Sequence, residues 1–99
     1  MKRYDIARLI YDNSLVVNVQ SDLIADVGLH VVIPLMPPQM APQGHTRLIP
    51  TFEFNSKDYV LATTLIASVP NRELGEVMGT LIHERDRITA ALDFLFQGF

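Results

Sequence analysis

The sequence predicts a mainly β protein that is closed by one C-terminal α-helix. Over the first two thirds, short apolar or alternating runs lie between turn-forming residues, which is typical of strands. In the last third the apolar spacing changes to the helical i, i+3, i+4, i+7 pattern. The residues of this helical stripe are Leu81, Ile88, Ala91, Leu92 and Leu95. A chain of 99 residues is expected to form a single domain over residues 1–99.

The first two predicted strands flank a turn at residues 12–14, where Asp, Asn and Ser supply short polar side chains. In the second run, apolar residues at 15, 17 and 19 alternate with residues 16, 18 and 20. This period of two predicts a half-buried strand.

The middle of the chain predicts a central strand and a hairpin. The run LHVVIPL (29–35) is continuously apolar, and Pro34 predicts a bulge or an unpaired ladder position. Aromatic and β-branched residues on both sides of Asn55-Ser56-Lys57-Asp58 predict a hairpin with its turn there. Between these elements, residues 36–47 hold three prolines and a glycine and predict an ordered or semi-ordered surface loop.

The segment after residue 67 predicts a turn followed by helical structure. Pro70 suits the first position of a short helix, and Gly75 and Gly79 fall in a helix-like segment. Thr80 is the predicted N-cap of the long helix, and Gly98 is its predicted stop.

Composition limits the classes of function. Apolar residues make up 48 % of the chain and the mean hydropathy is +0.20, so part of the apolar surface is expected to be covered by a partner, most simply a second copy. The net charge is −3 and no Lys/Arg cluster occurs, which argues against direct nucleic-acid binding. There is no cysteine, signal peptide pattern or run of membrane-spanning length, so a soluble cytoplasmic protein is expected.

No catalytic or metal-binding set is assembled in the sequence. The segment His83-Glu84-Arg85-Asp86-Arg87 resembles the zinc helix H-E-x-x-H, but Arg87 replaces the second ligand, and a Glu84–Arg87 pair on the helix surface is expected instead. His30 and His45 are separated in the chain and lack neighbouring ligands. No cofactor, metal or enzymatic activity is therefore expected.

Several segments together resemble the CcdB family of toxins from bacterial toxin–antitoxin systems. The resemblance extends from about residue 15 to residue 99. It rests on V-Q-S-D at 19–22 followed by Leu23-Ile24, V-I-P-L at 32–35, A-S-V-P at 67–70, G-E at 75–76 and the C-terminal helix with its penultimate glycine. The whole chain is thus similar to a single CcdB-like toxin domain.

The resemblance implies an SH3-like barrel of antiparallel strands with a long C-terminal helix, assembled as a homodimer. It implies a toxin that binds the DNA gyrase A subunit and traps the gyrase–DNA cleavage complex. It also implies neutralisation by a CcdA-like antitoxin and repression of the operon by the toxin–antitoxin complex. By position, the implied gyrase contacts are Leu23, Ile24, Asp93, Phe96, Gln97, Gly98 and Phe99.

The last three residues differ from the family pattern. The best-known member ends in Trp-Gly-Ile, whereas this sequence has Gln97-Gly98-Phe99, and Asp93 stands where the family often has Asn. Phe99 is therefore expected to be the anchor in a partner, the alternative being that it packs back on its own barrel. Two other functions stay open: a CcdB-like protein that binds an antitoxin without poisoning gyrase, and an mRNA-cleaving toxin on a similar barrel.

Overall fold

The computed structural model describes residues 1–24 and 27–99, and in them the chain forms seven strands and, at its end, one α-helix. Short 3₁₀ turns lie at Asp22–Ile24, Pro38–Met40, Thr63–Leu65, Asn71–Glu73 and Ile82–Glu84. The strands are β1 Asp5–Leu9, β2 Leu15–Asn18, β3 Leu29–Met36, β4 Thr51–Phe54, β5 Lys57–Leu61, β6 Ala67–Pro70 and β7 Leu74–Thr80, and the helix is α1 Arg85–Gln97.

The strands form one antiparallel sheet that curls into a half-barrel. Its order is β4-β5-β3-β2-β1-β7, with β6 paired to β3 beside this path. The predicted mainly β fold, an SH3-like barrel with a C-terminal helix, is confirmed. β3 changes partner along its length, because residues 29–32 pair with β6 and residues 35–36 pair with β5. Pro34, which has no N–H to donate, pairs with Val16 of β2 in regular register and has no strand partner on the β5/β6 side. The predicted unpaired ladder position is therefore found on that side, and the predicted bulge is not.

The two hairpin turns follow from residues that tolerate a left-handed backbone. In the β1–β2 turn Asn13 has φ +61°, and Asp12 accepts hydrogen bonds from the N–H and the hydroxyl of Ser14. In the β4–β5 turn Asn55 and Ser56 have φ +52° and +64°, as a two-residue type I′ turn requires. The predicted four-residue turn is thus too long by Lys57 and Asp58, which pair with Phe54 and Glu53.

The core lies between the half-barrel and α1. Its fully buried members include Ile6, Val17, Ile33, Phe52, Leu61, Leu81, Ile88 and Ala91. A smaller cluster on the other face of the sheet holds Leu9, Val16, Val32 and Val69. Because β2 lies between these two clusters, both of its faces are buried, and the prediction of a half-buried strand is wrong there.

The helical region begins later than the sequence predicted. Thr80 is the last residue of β7, and its hydroxyl accepts a hydrogen bond from the N–H of Ile82 at the start of a 3₁₀ turn. The α-helix itself begins at Arg85. The segment with Gly75 and Gly79 is a strand because it pairs with β1 at the barrel edge. A Cβ atom at Gly75 would lie 2.8 Å from the carbonyl oxygen of Arg8, so the close strand approach requires glycine.

No helix in residues 1–24 and 27–99 has the length and apolar character needed to cross a membrane.

Candidate functional site

The end of α1 exposes a large apolar side chain, Phe96, on the face that points away from the core. Ile88 and Ala91 are buried against the half-barrel. Asp93, Phe96 and Gln97 follow the i, i+3, i+4 spacing of a single helix face, and all three are exposed. Phe96 is 71 % exposed, so its ring is available for contact with another molecule.

Gly98 ends the helix and sets the direction of the following residue. Its φ is +79°, in the left-handed region, and its N–H donates to the carbonyl oxygen of Phe94 at 2.9 Å. No atom lies within 4 Å of where a Cβ would be, so glycine is favoured by backbone conformation and not by lack of space. Phe99 is 70 % exposed, so its ring does not pack on the barrel as the alternative expectation required.

The second predicted segment, Leu23-Ile24, lies in the 3₁₀ turn after β2. Leu23 is 95 % exposed and Ile24 is 52 % exposed. The start of the turn is fixed by two hydrogen bonds: the N–H of Arg3 donates to Asp22 (2.8 Å), and the N–H of Leu23 donates to the hydroxyl of Ser21 (3.2 Å). An almost fully exposed leucine is thus held on an ordered turn.

Gln20 positions this segment from below, a role that the sequence analysis did not assign. Its side chain is buried, its Nε2 donates to the carbonyl oxygens of Ile24 and Leu29, and its Oε1 accepts from the N–H of Val31. The side-chain amide of Gln20 therefore connects Ile24 to the start of β3 through hydrogen bonds. The available signal was a glutamine at the end of a predicted strand, between Val19 and Ser21.

The structure places the predicted contact residues in two exposed groups. The helix group comprises Asp93, Phe96, Gln97, Gly98 and Phe99, and the turn group comprises Leu23 and Ile24. Within the described residues no hydrogen bond joins the two groups, and neither contributes to the buried core. Each group therefore presents exposed apolar side chains that the core does not use.

The His83–Arg87 segment takes part in packing. Arg87 donates from Nη1 to Glu84 (3.2 Å) and from Nη2 to the carbonyl oxygen of Thr51 (3.0 Å), and its guanidinium carbon lies 4.5 Å from the Phe52 ring centroid. The predicted Glu84–Arg87 pair is confirmed. In the part of the chain that the structure describes, no three His, Asp or Glu residues form a group suited to a metal ion.

The remaining histidines lie where the sequence predicted. His30 is in β3, is buried, and its Nδ1 is 2.7 Å from Oδ1 of Asn71. His45 is in the proline-rich loop, where its ring stacks on Phe94 of α1 at 5.1 Å between centroids. The loop is thereby held against the helix.

Comparison with known families identifies the chain. Residues 4–98, almost its full length, match the family described as "CcdB protein". The chain belongs to the CcdB family. Among solved structures, the CcdB-family chain is similar to one described as an endoribonuclease in complex with its cognate antitoxin from a mycobacterial species. The TM-score is 0.67 at 20 % identity, over 94 % of this chain and 89 % of that one, which shows a shared fold.

Proposed function

We propose that this CcdB-family protein is the toxin of a toxin–antitoxin module, that it binds the DNA gyrase A subunit and that it traps the gyrase–DNA cleavage complex. The single observation that carries the proposal is the pair of exposed aromatic rings, Phe96 and Phe99, at the end of a helix anchored by Ile88 and Ala91. Family membership gives this surface its expected partner.

Physical chemistry supports a binding role for this helix end. Binding free energy concentrates in a few large side chains that become buried on association. A helix anchored in the core loses little conformational entropy when its end docks, because its backbone is already ordered. Asp93, Gln97 and Gly98 would then supply polar and backbone contacts around the two rings, and Leu23 and Ile24 would supply a second apolar area.

The proposed assembly is a homodimer neutralised by a CcdA-like antitoxin, with the complex repressing its own operon. The exposed apolar residues on several elements favour a partner surface; they include Leu29, Val77 and Ile82. The structural neighbour is itself described as bound to its antitoxin, which favours the same kind of partner here. Light scattering at micromolar concentration should give the dimer mass, and a monomer mass would contradict the homodimer.

Two observations favour other functions. Gln97 replaces the family's Trp, which favours a protein that binds an antitoxin without poisoning gyrase. The description of the neighbour as an endoribonuclease favours RNA cleavage, and Arg47 and Arg87, which line one cavity, are the cations most suited to a phosphate.

Purified gyrase distinguishes the three functions. Incubation of the protein with gyrase and supercoiled plasmid, followed by detergent and protease, should release linear DNA. Phe96→Asp should abolish this product, whereas Tyr11→Asp, a substitution at a similarly exposed residue (65 %), should not. Failure to produce linear DNA would contradict gyrase poisoning, and cleavage of RNA by the protein alone would favour the endoribonuclease.

A further inference from the structure

A cavity of about 290 Å³ lies on the face of the sheet that carries the smaller buried cluster. We name it the histidine cavity; its lining residues are Met1, His30, Asn71, Leu74, Gly75 and Val77. Met1 and Leu74 also pack against the smaller cluster, so the cavity adjoins that part of the core. None of the lining residues belongs to the helix group, the turn group or the proline-rich loop.

His30 is the buried polar side chain of the histidine cavity. It is 8 % exposed, and its Nδ1 lies 2.7 Å from Oδ1 of Asn71. Because an amide oxygen can only accept, the ring donates from Nδ1, and the neutral ring keeps a lone pair on Nε2. In the described part of the chain, the bond to Asn71 is the hydrogen bond that this ring makes. The cavity therefore offers one buried acceptor without a protein donor, and buried polar atoms normally have a partner.

Asn71 holds the ring from a turn that is itself fixed at both ends. The N–H of Asn71 donates to the carbonyl oxygen of Gly28 (3.1 Å), and the N–H of Ile10 donates to that of Glu73 (3.0 Å). The N–H of Leu74 closes the turn by donating to the carbonyl oxygen of Asn71. A ligand at Nε2 thus meets a ring whose orientation and tautomer are already set, which lowers the entropic cost of binding.

The other side chains of the histidine cavity favour an aromatic ligand. Leu74 and Val77 supply aliphatic surface, and Met1 supplies a thioether, which makes favourable contacts with aromatic rings. A cavity of about 150 Å³ is enough to hold benzene, whereas drug-sized ligands occupy sites of about 300–1,000 Å³. The histidine cavity therefore has the size for one small ring system.

We infer that the histidine cavity binds a small aromatic molecule with one hydrogen-bond donor, of the phenol or indole class. Its ring lies among Met1, Leu74 and Val77, and its O–H or N–H donates to Nε2 of His30. A carboxylate or phosphate dianion fits less well, because it has no proton to donate to a neutral imidazole. The inference goes beyond the proposed toxin function and does not depend on it.

Amide NMR titrations with p-cresol and with toluene, which lacks the hydroxyl group, test the inference. p-Cresol should shift the signals of His30, Asn71, Leu74 and Val77. In His30→Phe, which keeps a ring but has no acceptor, the ratio of the p-cresol to the toluene association constant should fall at least about threefold, the worth of one net hydrogen bond. The matched control is His83→Phe, at an exposed histidine outside the cavity, which should leave this ratio unchanged.

A second variant decides the question if His30→Phe does not fold. Val77 is 50 % exposed, so Val77→Trp leaves both buried clusters intact while its larger side chain fills the cavity, and the shifts with p-cresol should disappear. All titrations use the full chain in the assembly state that light scattering gives, because Val77 also belongs to the surface proposed for the homodimer. An unchanged ratio in His30→Phe, an equal fall in His83→Phe, or p-cresol binding that survives Val77→Trp would overturn the inference.

A tyrosine peptide, N-acetyl-Gly-Tyr-Gly-amide, distinguishes two sources of the same ring chemistry. Binding weaker than that of p-cresol is expected for a site that takes a free small molecule. Binding as tight as that of p-cresol would overturn this assignment and give the ring to a tyrosine side chain of a partner. A protein that binds p-cresol but fails to poison gyrase would contradict the proposed function alone.

Discussion

Substitution of Phe99 separates a partner-binding role from a structural one. The ring is 70 % exposed, so of the roughly 200 Å² that a phenylalanine can bury, about 60 Å² is buried in the free protein. At ~25 cal/mol per Å², Phe99→Ala should lower the free energy of unfolding by no more than about 1.5 kcal/mol. Ile88→Ala in the core should cost about 2–5 kcal/mol.

The exposed part of the same ring sets the expected effect on binding. Burial of the remaining area of about 140 Å² in a gyrase pocket would contribute about 3.5 kcal/mol, or roughly 400-fold in affinity. Phe99→Ile should keep much of this, because isoleucine also fills an apolar pocket. Phe99→Asp should lose it entirely, because a carboxylate would be desolvated without a partner.

Urea unfolding and calorimetric titration with the gyrase A subunit measure the two quantities on the same variants. Tyr11→Ala is a suitable control, since Tyr11 is 65 % exposed and lies in the β1–β2 turn. A Phe99→Ala protein that loses about 3 kcal/mol or more of stability yet binds gyrase as before would refute the reasoning.

Three further predictions concern the backbone at Gly98, the hydrogen bonds of Gln20 and those of Asp12 in the β1–β2 turn. Gly98→Val should strain the left-handed residue by about 1–2 kcal/mol and reduce killing, whereas Gly98→Asn, which tolerates that conformation, should retain most activity; equal killing titres would contradict this. Gln20→Leu should lower stability by about 2–4 kcal/mol, since it leaves two carbonyls and one N–H unpaired, and hydrogen exchange at Val31 should accelerate. Unchanged exchange would count against the role of Gln20. The backbone N–H and then the hydroxyl of Ser14 lower the pKa of Asp12 below 3.8, so any stability from this carboxylate is present above its unfolded pKa and lost as pH falls through the lowered folded pKa. Ser14→Ala should raise the pKa of Asp12 part of the way back in an NMR titration, and an unchanged pKa would show that the hydroxyl has no effect.

The local patterns of the sequence were sufficient for most elements of the fold. Alternation, turn residues and the helical stripe predicted the strands, the β4–β5 hairpin and the C-terminal helix. They failed where pairing between distant segments decides the structure. Gly75 and Gly79 lie in a strand because that segment pairs with β1, which no local pattern indicates. Alternation alone places Val16 on the solvent-facing side of β2, whereas the second cluster covers it.

The candidate site was predictable only in part, for a similar reason. Family resemblance supplied the residue positions, and helical spacing implies that Asp93, Phe96 and Gln97 share a face. The bonds of Gln20 depend on how the chain returns from β2 into β3, and the meeting of Arg47 with Arg87 depends on a loop that folds back onto α1. The separation of these residues in the sequence gives no signal of either contact.

Survival of bacteria that express the protein tests the central claim most directly. The host pair should differ only in gyrase A, one strain carrying a wild-type allele and the other an allele resistant to CcdB-family toxins. We expect the protein to kill the first strain and spare the second, and co-expression of a CcdA-like antitoxin to rescue the first. Equal killing of both strains would contradict gyrase as the target, and growth of both would contradict the toxin function.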